Sequence, residues 1–213
     1  MFLSRVEIDL DNRRIIKELT HLGAYHNWVE HCFPNEMERS ERTRKLWRID
    51  RLNGKSFLLL LSETPPSLTE MEKMGVQGSA ETKDYNEYLQ KFKVGDRMRF
   101  RIVTNPVHSV MEVGKRGIEK PHVTSYYQIQ YFIDRTEKNG FHVEENEIQL
   151  VERGYELLRK PGQKPIRIVK AVFEGILTIT DLDLFIQVLT HGMGKKKAYG
   201  FGLLTVIPFE HEG

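Results

Sequence analysis

Lys45-Leu46-Trp47-Arg48-Ile49-Asp50-Arg51-Leu52-Asn53-Gly54-Lys55-Ser56-Phe57-Leu58-Leu59-Leu60-Leu61 reads as two apolar segments joined by Asn53-Gly54. A two-residue hairpin turn of the favoured hand requires φ > 0, which Asn and Gly tolerate best, so strands are predicted at 45–50 and 56–61. Upstream, Phe2 to Leu10 alternates apolar and polar residues with period two, the pattern of a strand with one buried face. Asp11 or Asn12 can cap a helix carrying Ile15, Ile16, Leu19 and Leu22. Gly23 is read as an interruption, followed by a second helical segment with Tyr25, Trp28, Val29 and Phe33 that Pro34 ends; residues 35–42 read as loop. Downstream, Pro65-Pro66 precedes a short helix from Ser67 to Met74 and a strand near Thr82 to Tyr85. The resulting order, β-α-β-β-α-β, is that of a ferredoxin-like domain.

The second half supports the same order. Val94-Gly95-Asp96 is a turn signal, and residues 97–103 alternate again, so the boundary is placed between an N-terminal unit at 1–93 and a C-terminal unit at 94–213. A helix is predicted from Thr124 to Asn139, with strands at 148–151, 166–172 and 174–180. Asp181 caps a further helix, and Leu203 to Ile207 closes the sheet. The fold class is α+β, with two tandem ferredoxin-like domains built on antiparallel sheets.

Net charge is +2, and 39% hydrophobic content with 29% charged residues describes a globular chain. No apolar run approaches the ~18 residues of a membrane span. The first residues meet charge too early for a secretory segment, so a cytoplasmic location is expected. Cys32 is the single cysteine, which excludes an internal disulfide and a cysteine zinc cage. Basic residues concentrate in the second half: residues 97–213 carry 17 Lys/Arg against 14 Asp/Glu, whereas residues 1–96 carry 15 against 16.

Three basic stretches are candidates for binding a polyanion. Gly192-Met193-Gly194-Lys195-Lys196-Lys197-Ala198-Tyr199-Gly200-Phe201-Gly202 combines four glycines, which allow close backbone approach, with Lys195, Lys196 and Lys197. Its order, helix before and strand after, is the reverse of the dinucleotide-binding fingerprint. Arg153, Arg159, Lys160, Lys164, Arg167 and Lys170 form a basic hairpin around Pro161-Gly162, a shape suited to a nucleic-acid groove. Gly114-Lys115-Arg116-Gly117 forms a third basic loop, which Arg135 on the following helix can extend. Among eight histidines, His26 stands out beside Tyr25. His21, His26 and His31 recur every five residues, about 140° per step on a helix, and so share no single face. No HExxH or carboxylate cluster suited to two-metal hydrolysis is present, and no metal or other cofactor is expected.

Taken together, these stretches resemble the CRISPR repeat-processing endoribonucleases of the CasE family, of the RAMP superfamily, the RNA-cutting subunit of the type I-E Cascade complex. The resemblance rests on Met1 to Val6, Leu22-x-x-x-His26 with Phe33-Pro34, and Leu46-Trp47-Arg48. It continues through Phe100 to Pro106 with Gly114-Lys115-Arg116, Phe173 to Leu177, and the segment from Gly192 to Leu204. It implies metal-independent cleavage at the base of a repeat hairpin, retention of the crRNA product and assembly with other Cascade subunits. It places His26 at the family's catalytic histidine and Arg159 and Lys160 in a hairpin entering the RNA major groove. Some relatives carry a tyrosine where this chain has Gly23, which leaves Tyr25 as a candidate partner. His26 can serve as base or acid, with Tyr25, a lysine or water as its partner; Lys115 and Lys197 are candidates for stabilising the phosphorane, and Gly192 and Gly194 for letting a phosphate approach. The alternative is a non-catalytic RNA-binding scaffold with the same fold.

Overall fold

In the computed structural model, which describes residues 1–39, 42–110 and 118–209, the N-terminal half runs β1 (Phe2–Glu7), α1 (Arg13–Glu18), α2 (Leu22–His31), α3 (Pro34–Arg39), β2 (Lys45–Leu52), β3 (Lys55–Ser62), α4 (Leu68–Glu72) and β4 (Glu81–Asp84). Asn53 and Gly54 take φ of 51° and 77°, as the tight turn demands, and set a register that pairs Trp47 with Leu60. The strands order as β2-β3-β1-β4, all antiparallel neighbours, which is the ferredoxin-like arrangement. Asn12 caps α1 by accepting from the Arg14 amide at 3.1 Å, and Ser67 caps α4.

A short helix, α5 (Asn86–Leu89), leads to β5 (Arg97–Thr104), β6 (Val107–Val110), β7 (Ile118–Pro121), α6 (Ser125–Ile133), β8 (Phe141–His142), β9 (Ile148–Leu158), β10 (Ile166–Ile179), α7 (Leu182–His191) and β11 (Leu204–Pro208). The sheet order β11-β5-β10, with β9 paired along β10, repeats the ferredoxin-like pattern. β8 pairs only with the far end of β10, and β6 and β7 form a separate hairpin. Asp181 caps α7 through the Leu184 amide at 3.0 Å. No helix is long and apolar enough to cross a membrane among the described residues.

Several expectations need correction. Gly23 lies inside α2, whose true start is set by His21: its Nδ1 accepts from the Ala24 amide at 3.2 Å. Pro34 ends one helix and opens another, since proline at a first helical position removes no hydrogen bond that the helix needs. The strands expected at 166–172 and 174–180 are one 14-residue strand, its register shifted by a bulge between Val172 and Phe173. The helix expected as far as Asn139 stops at Ile133, and a separate 3-10 turn (Glu137–Asn139) follows before Gly140 at φ 77°.

Two cores result. One lies within the second sheet unit and holds Phe100, Phe132, Phe141, Phe173 and Phe185. The other joins both halves, gathering Val6, Trp28 and Trp47 with Val103, Leu158, Val172 and Phe201. Arg48, 3% exposed, seals the seam: its guanidinium pairs with Asp50 and donates to the carbonyls of Arg101 at 2.9 Å and Leu203 at 3.2 Å, and to Thr205 Oγ1 at 2.8 Å. A buried guanidinium is tolerated only when its donors are satisfied in this way.

At the edge of β2, Lys45 Nζ donates to Glu36 of α3 at 2.7 Å, and Thr43 donates to the same carboxylate. Partial burial alone would raise the Glu36 carboxyl, but these hydrogen bonds and the lysine charge bring it down to about 2. A carboxyl lowered on folding contributes stability above its ordinary value of 4.5, and that contribution disappears as pH falls through the folded value. Denaturant titrations from pH 7 to 2 are therefore expected to show stability falling below pH 4.5, and to show a shallower fall in Glu36→Gln. Equal acid slopes for the two proteins would contradict this assignment.

Candidate nucleic-acid cleavage site

The residues singled out around His26 and the glycine-lysine loop come from opposite halves and meet at Trp47. The loop is pinched at its base, where the Met193 amide donates to the Gly202 carbonyl at 2.9 Å and the Gly202 amide donates to Val103 at 2.7 Å. Its far side folds into a 3-10 turn, Lys197–Tyr199, between Lys196 and Gly200, both left-handed at φ 62° and 84°. Trp47 Nε1 donates to the Ala198 carbonyl at 3.1 Å and so fastens this turn to the first sheet. On its other flank the Trp47 ring stacks on Tyr25 of α2, with centroids 6.0 Å apart.

One position further along α2, His26 turns toward the loop. Its ring tilts against Tyr199 with centroids 5.2 Å apart. Glu30, one helical turn on, places a carboxylate oxygen 4.0 Å from His26 Nδ1 and also reaches Lys45 at 3.6 Å and Arg42 at 3.7 Å. Burial lowers the imidazole pKa; Glu30 and a hydrogen bond with the Ala198 backbone oppose that shift, and Arg42 and Lys45 add to it. The result is a half-buried imidazole that is neutral above its ordinary value of 6.5. A cleft of about 440 Å³ opens here, lined by His26, Glu30, Arg42, Arg44, Lys197 and Ala198. Burial, with the Arg44 charge, also lowers the Lys197 ammonium from its ordinary range. A neutral imidazole sharing a cleft with Arg42, Arg44, Lys45 and Lys197 is an arrangement fit to hold a phosphodiester and move a proton at it.

The other predicted residues distribute unevenly. Tyr25 stacks on Trp47 and does not line this cleft, and burial raises its phenol pKa, with Glu156 adding to the rise. The basic hairpin, β9 and β10, docks on the start of α2: a Cβ on Gly23 would collide with the Arg159 carbonyl oxygen, so no larger residue fits there. Lys160 lies over the Tyr199 ring at 5.1 Å, and Arg159 lies close enough to His21 to lower its pKa, after burial. The hairpin is thus brought to the cleft, with Lys164 exposed at its tip. Lys170 instead pairs with Glu152 and Glu156. Arg153 donates to Ser125 and to the Val123 carbonyl, and Arg135 lies against Tyr131, 3.6 Å from the ring centroid.

Within the loop, Lys195 and Lys196 both reach Glu119 of β7, at 2.9 and 3.8 Å, an acid that the local sequence does not reveal. Gly194 is exposed, but Gly192 is buried against Gly202 and Leu46, so its freedom serves packing and not the approach of a phosphate. Lys115 and Arg116 lie outside the described residues. His31 bonds the Asn27 carbonyl at 2.7 Å, so the three histidines of the five-residue series occupy three different settings. Among the described residues no three His, Cys, Asp or Glu side chains gather as a metal-holding group. Sequence reasoning missed Glu30, Arg42, Arg44 and Tyr199. The i,i+4 spacing of His26 and Glu30 was the one local signal.

Comparison with known proteins gives one consistent answer. A family model described as CRISPR associated protein matches residues 1–208. CRISPR-associated endoribonuclease Cse3 of Thermus thermophilus is 27% identical, over 98% of this chain and all of that protein. The CRISPR system Cascade subunit CasE of Escherichia coli K12 is also 27% identical with the same coverage. In structure, the chain resembles Cse3 bound to a 19-nucleotide RNA with a TM-score of 0.80, covering 98% of this chain and all of the other at 24% identity.

The turn that faces His26 depends on Gly200, where a Cβ would fall 2.7 Å from the Trp47 ring at a φ of 84°. Gly200→Ala is expected to destabilise the chain by at least about 1 kcal/mol, the cost of a left-handed alanine before any clash. Chemical denaturation measures it, and an unchanged midpoint would contradict the packing described.

Proposed function

We propose, from the premise that this chain belongs to the CRISPR-associated protein family, that it is the endoribonuclease that cuts CRISPR repeat transcripts at the base of their hairpin and keeps the product. The observation that carries this reading is the meeting of His26 with Lys197 in one cationic cleft, with Tyr199 against the His26 ring and the docked basic hairpin reaching Tyr199 through Lys160. The full-length relatives named endoribonuclease and Cascade subunit support RNA cleavage within a multi-subunit assembly. The repeat RNA hairpin, as precursor and as mature crRNA, and the other Cascade subunits are its partners in this reading.

The residues suit an internal attack. RNA carries a 2′-hydroxyl beside each phosphate; once that oxygen is deprotonated and aligned, it displaces the 5′-oxygen without a water or a metal. His26, neutral near pH 7, takes the 2′ proton. Lys197, its charge already less strongly held than usual, balances the developing phosphorane and supplies a proton to the leaving 5′-oxygen. Arg42 and Arg44, which line the same cleft, hold the phosphate. Products are a 2′,3′-cyclic phosphate and a 5′-hydroxyl. Arg159, Lys160 and Lys164 grip the stem through its backbone, since the groove edges of A-form RNA give little sequence information.

His26→Ala is expected to lose at least about 100-fold in single-turnover cleavage while holding RNA affinity within a few-fold. Cleavage by the unsubstituted chain should persist in EDTA and stop with a 2′-deoxy nucleotide upstream of the cut. A histidine base is inactive when protonated, so the rate should be flat around neutrality and decline as pH falls below 6.5. Cleavage by His26→Ala at the unsubstituted rate would exclude the reading. Full binding without cleavage by the unsubstituted chain would favour the scaffold.

A further inference from the structure

Beyond the cleft, a row of aromatic rings runs from the lysine loop onto α6. Tyr131 lies beside Gly194, with its hydroxyl 3.1 Å from where a Cβ on that glycine would sit, and Arg135 covers its ring. His122, after β7, is 5.8 Å from Tyr131, 6.2 Å from Tyr127 and 4.7 Å from His108 of β6, centroid to centroid. Tyr126 meets Tyr127 edge-on at 5.4 Å. The last two rings are 66% and 57% exposed, and Val123 beside them is 58% exposed. A pocket of about 470 Å³ opens among His108, Pro121, His122, Val123, Thr124 and Tyr127.

Contiguous exposed rings of this kind mark a binding surface. The charges around them select the occupant. Arg135, Arg153, Lys195 and Lys196 stand near the row, against Glu119 and Asp134. Burial, then the charges of His108 and Arg135, lower the His122 pKa, so its ring is neutral at pH 7 and offers a π face. Flat rings interleaved with cations are how proteins hold unpaired nucleotides, by stacking bases and tracking phosphates.

We infer that His122, Tyr126 and Tyr127 form a stacking platform for unpaired ribonucleotides that flank the gripped hairpin. The inference rests on the proposed RNA-processing role, because the row begins at the lysine loop of that site. The platform lies outside the cleavage cleft and acts on affinity for the flank.

The test is fluorescence anisotropy with the full chain and the repeat hairpin encoded alongside it, made uncleavable by a 2′-deoxy nucleotide. The hairpin is compared blunt and with six unpaired adenosines added on the 5′ or the 3′ side. The unsubstituted chain is expected to bind one tailed hairpin about tenfold more tightly than the blunt one. Tyr126→Ala/Tyr127→Ala should remove that gain and leave blunt-hairpin affinity within twofold. Tyr126→Phe/Tyr127→Phe should keep the gain, because stacking needs the ring and not the hydroxyl. The platform is excluded if no tail adds affinity, if the gain survives the double alanine variant, or if that variant weakens blunt and tailed RNA alike. Failure of the unsubstituted chain to bind even the blunt hairpin would instead remove the RNA-processing reading, and the platform with it.

Discussion

The Trp47 indole is the constraint on which the site depends. It is 1% exposed, stacked on Tyr25 from the helix that carries His26 and hydrogen-bonded to Ala198 in the loop that carries Lys197. Neither half of the chain contains the cleft alone. A ring of this size buried at a seam contributes several kcal/mol to holding it closed, and its single N–H fixes which turn of the loop faces the helix. Arg48, the next residue, acts on the opposite face of the strand, where its fully bonded guanidinium fixes the second sheet relative to the first.

The charge distribution follows from that docking. A net charge of +2 gives little hint of a nucleic-acid partner, yet the cations collect where the halves meet. Arg42 and Arg44 arrive before β2, Lys197 from the loop, and Lys160 from the docked hairpin. Glu30 and Glu119 offset part of this charge, and each is held by more than one basic partner. Partial neutralisation keeps like charges in the cleft and in the lysine loop from repelling one another while leaving a positive surface for a phosphate backbone.

Local chemistry makes much of the fold legible in the sequence. Asn53-Gly54, Asn12 and Asp181 act within a few residues of themselves, and each turn or cap formed where its side chain predicts. Gly23 and the segment after Pro34 depart from expectation because their roles are set at a distance or by position: the glycine leaves room for Arg159, and the proline also starts a helix where a loop was expected. The cleft was legible only in part. His26 and the lysine loop were visible as motifs, whereas Tyr199 and Arg44 gain their meaning from contacts across the seam, and Glu119 from the lysine loop far from it in sequence. Tyr25 drew attention by adjacency to His26, but neighbours on a helix point about 100° apart, and its ring packs on Trp47.

The most direct measurement of whether the two halves build one catalytic cleft is the single-turnover cleavage rate of Trp47→Phe, read beside its RNA affinity. Phenylalanine keeps a ring in the seam and deletes the N–H that holds Ala198. The account predicts a folded protein that binds the hairpin as before and cleaves it at least about tenfold more slowly, as a small misplacement of reacting groups would cause. Cleavage at the unsubstituted rate would show that the loop does not need to be held against His26, and would contradict it.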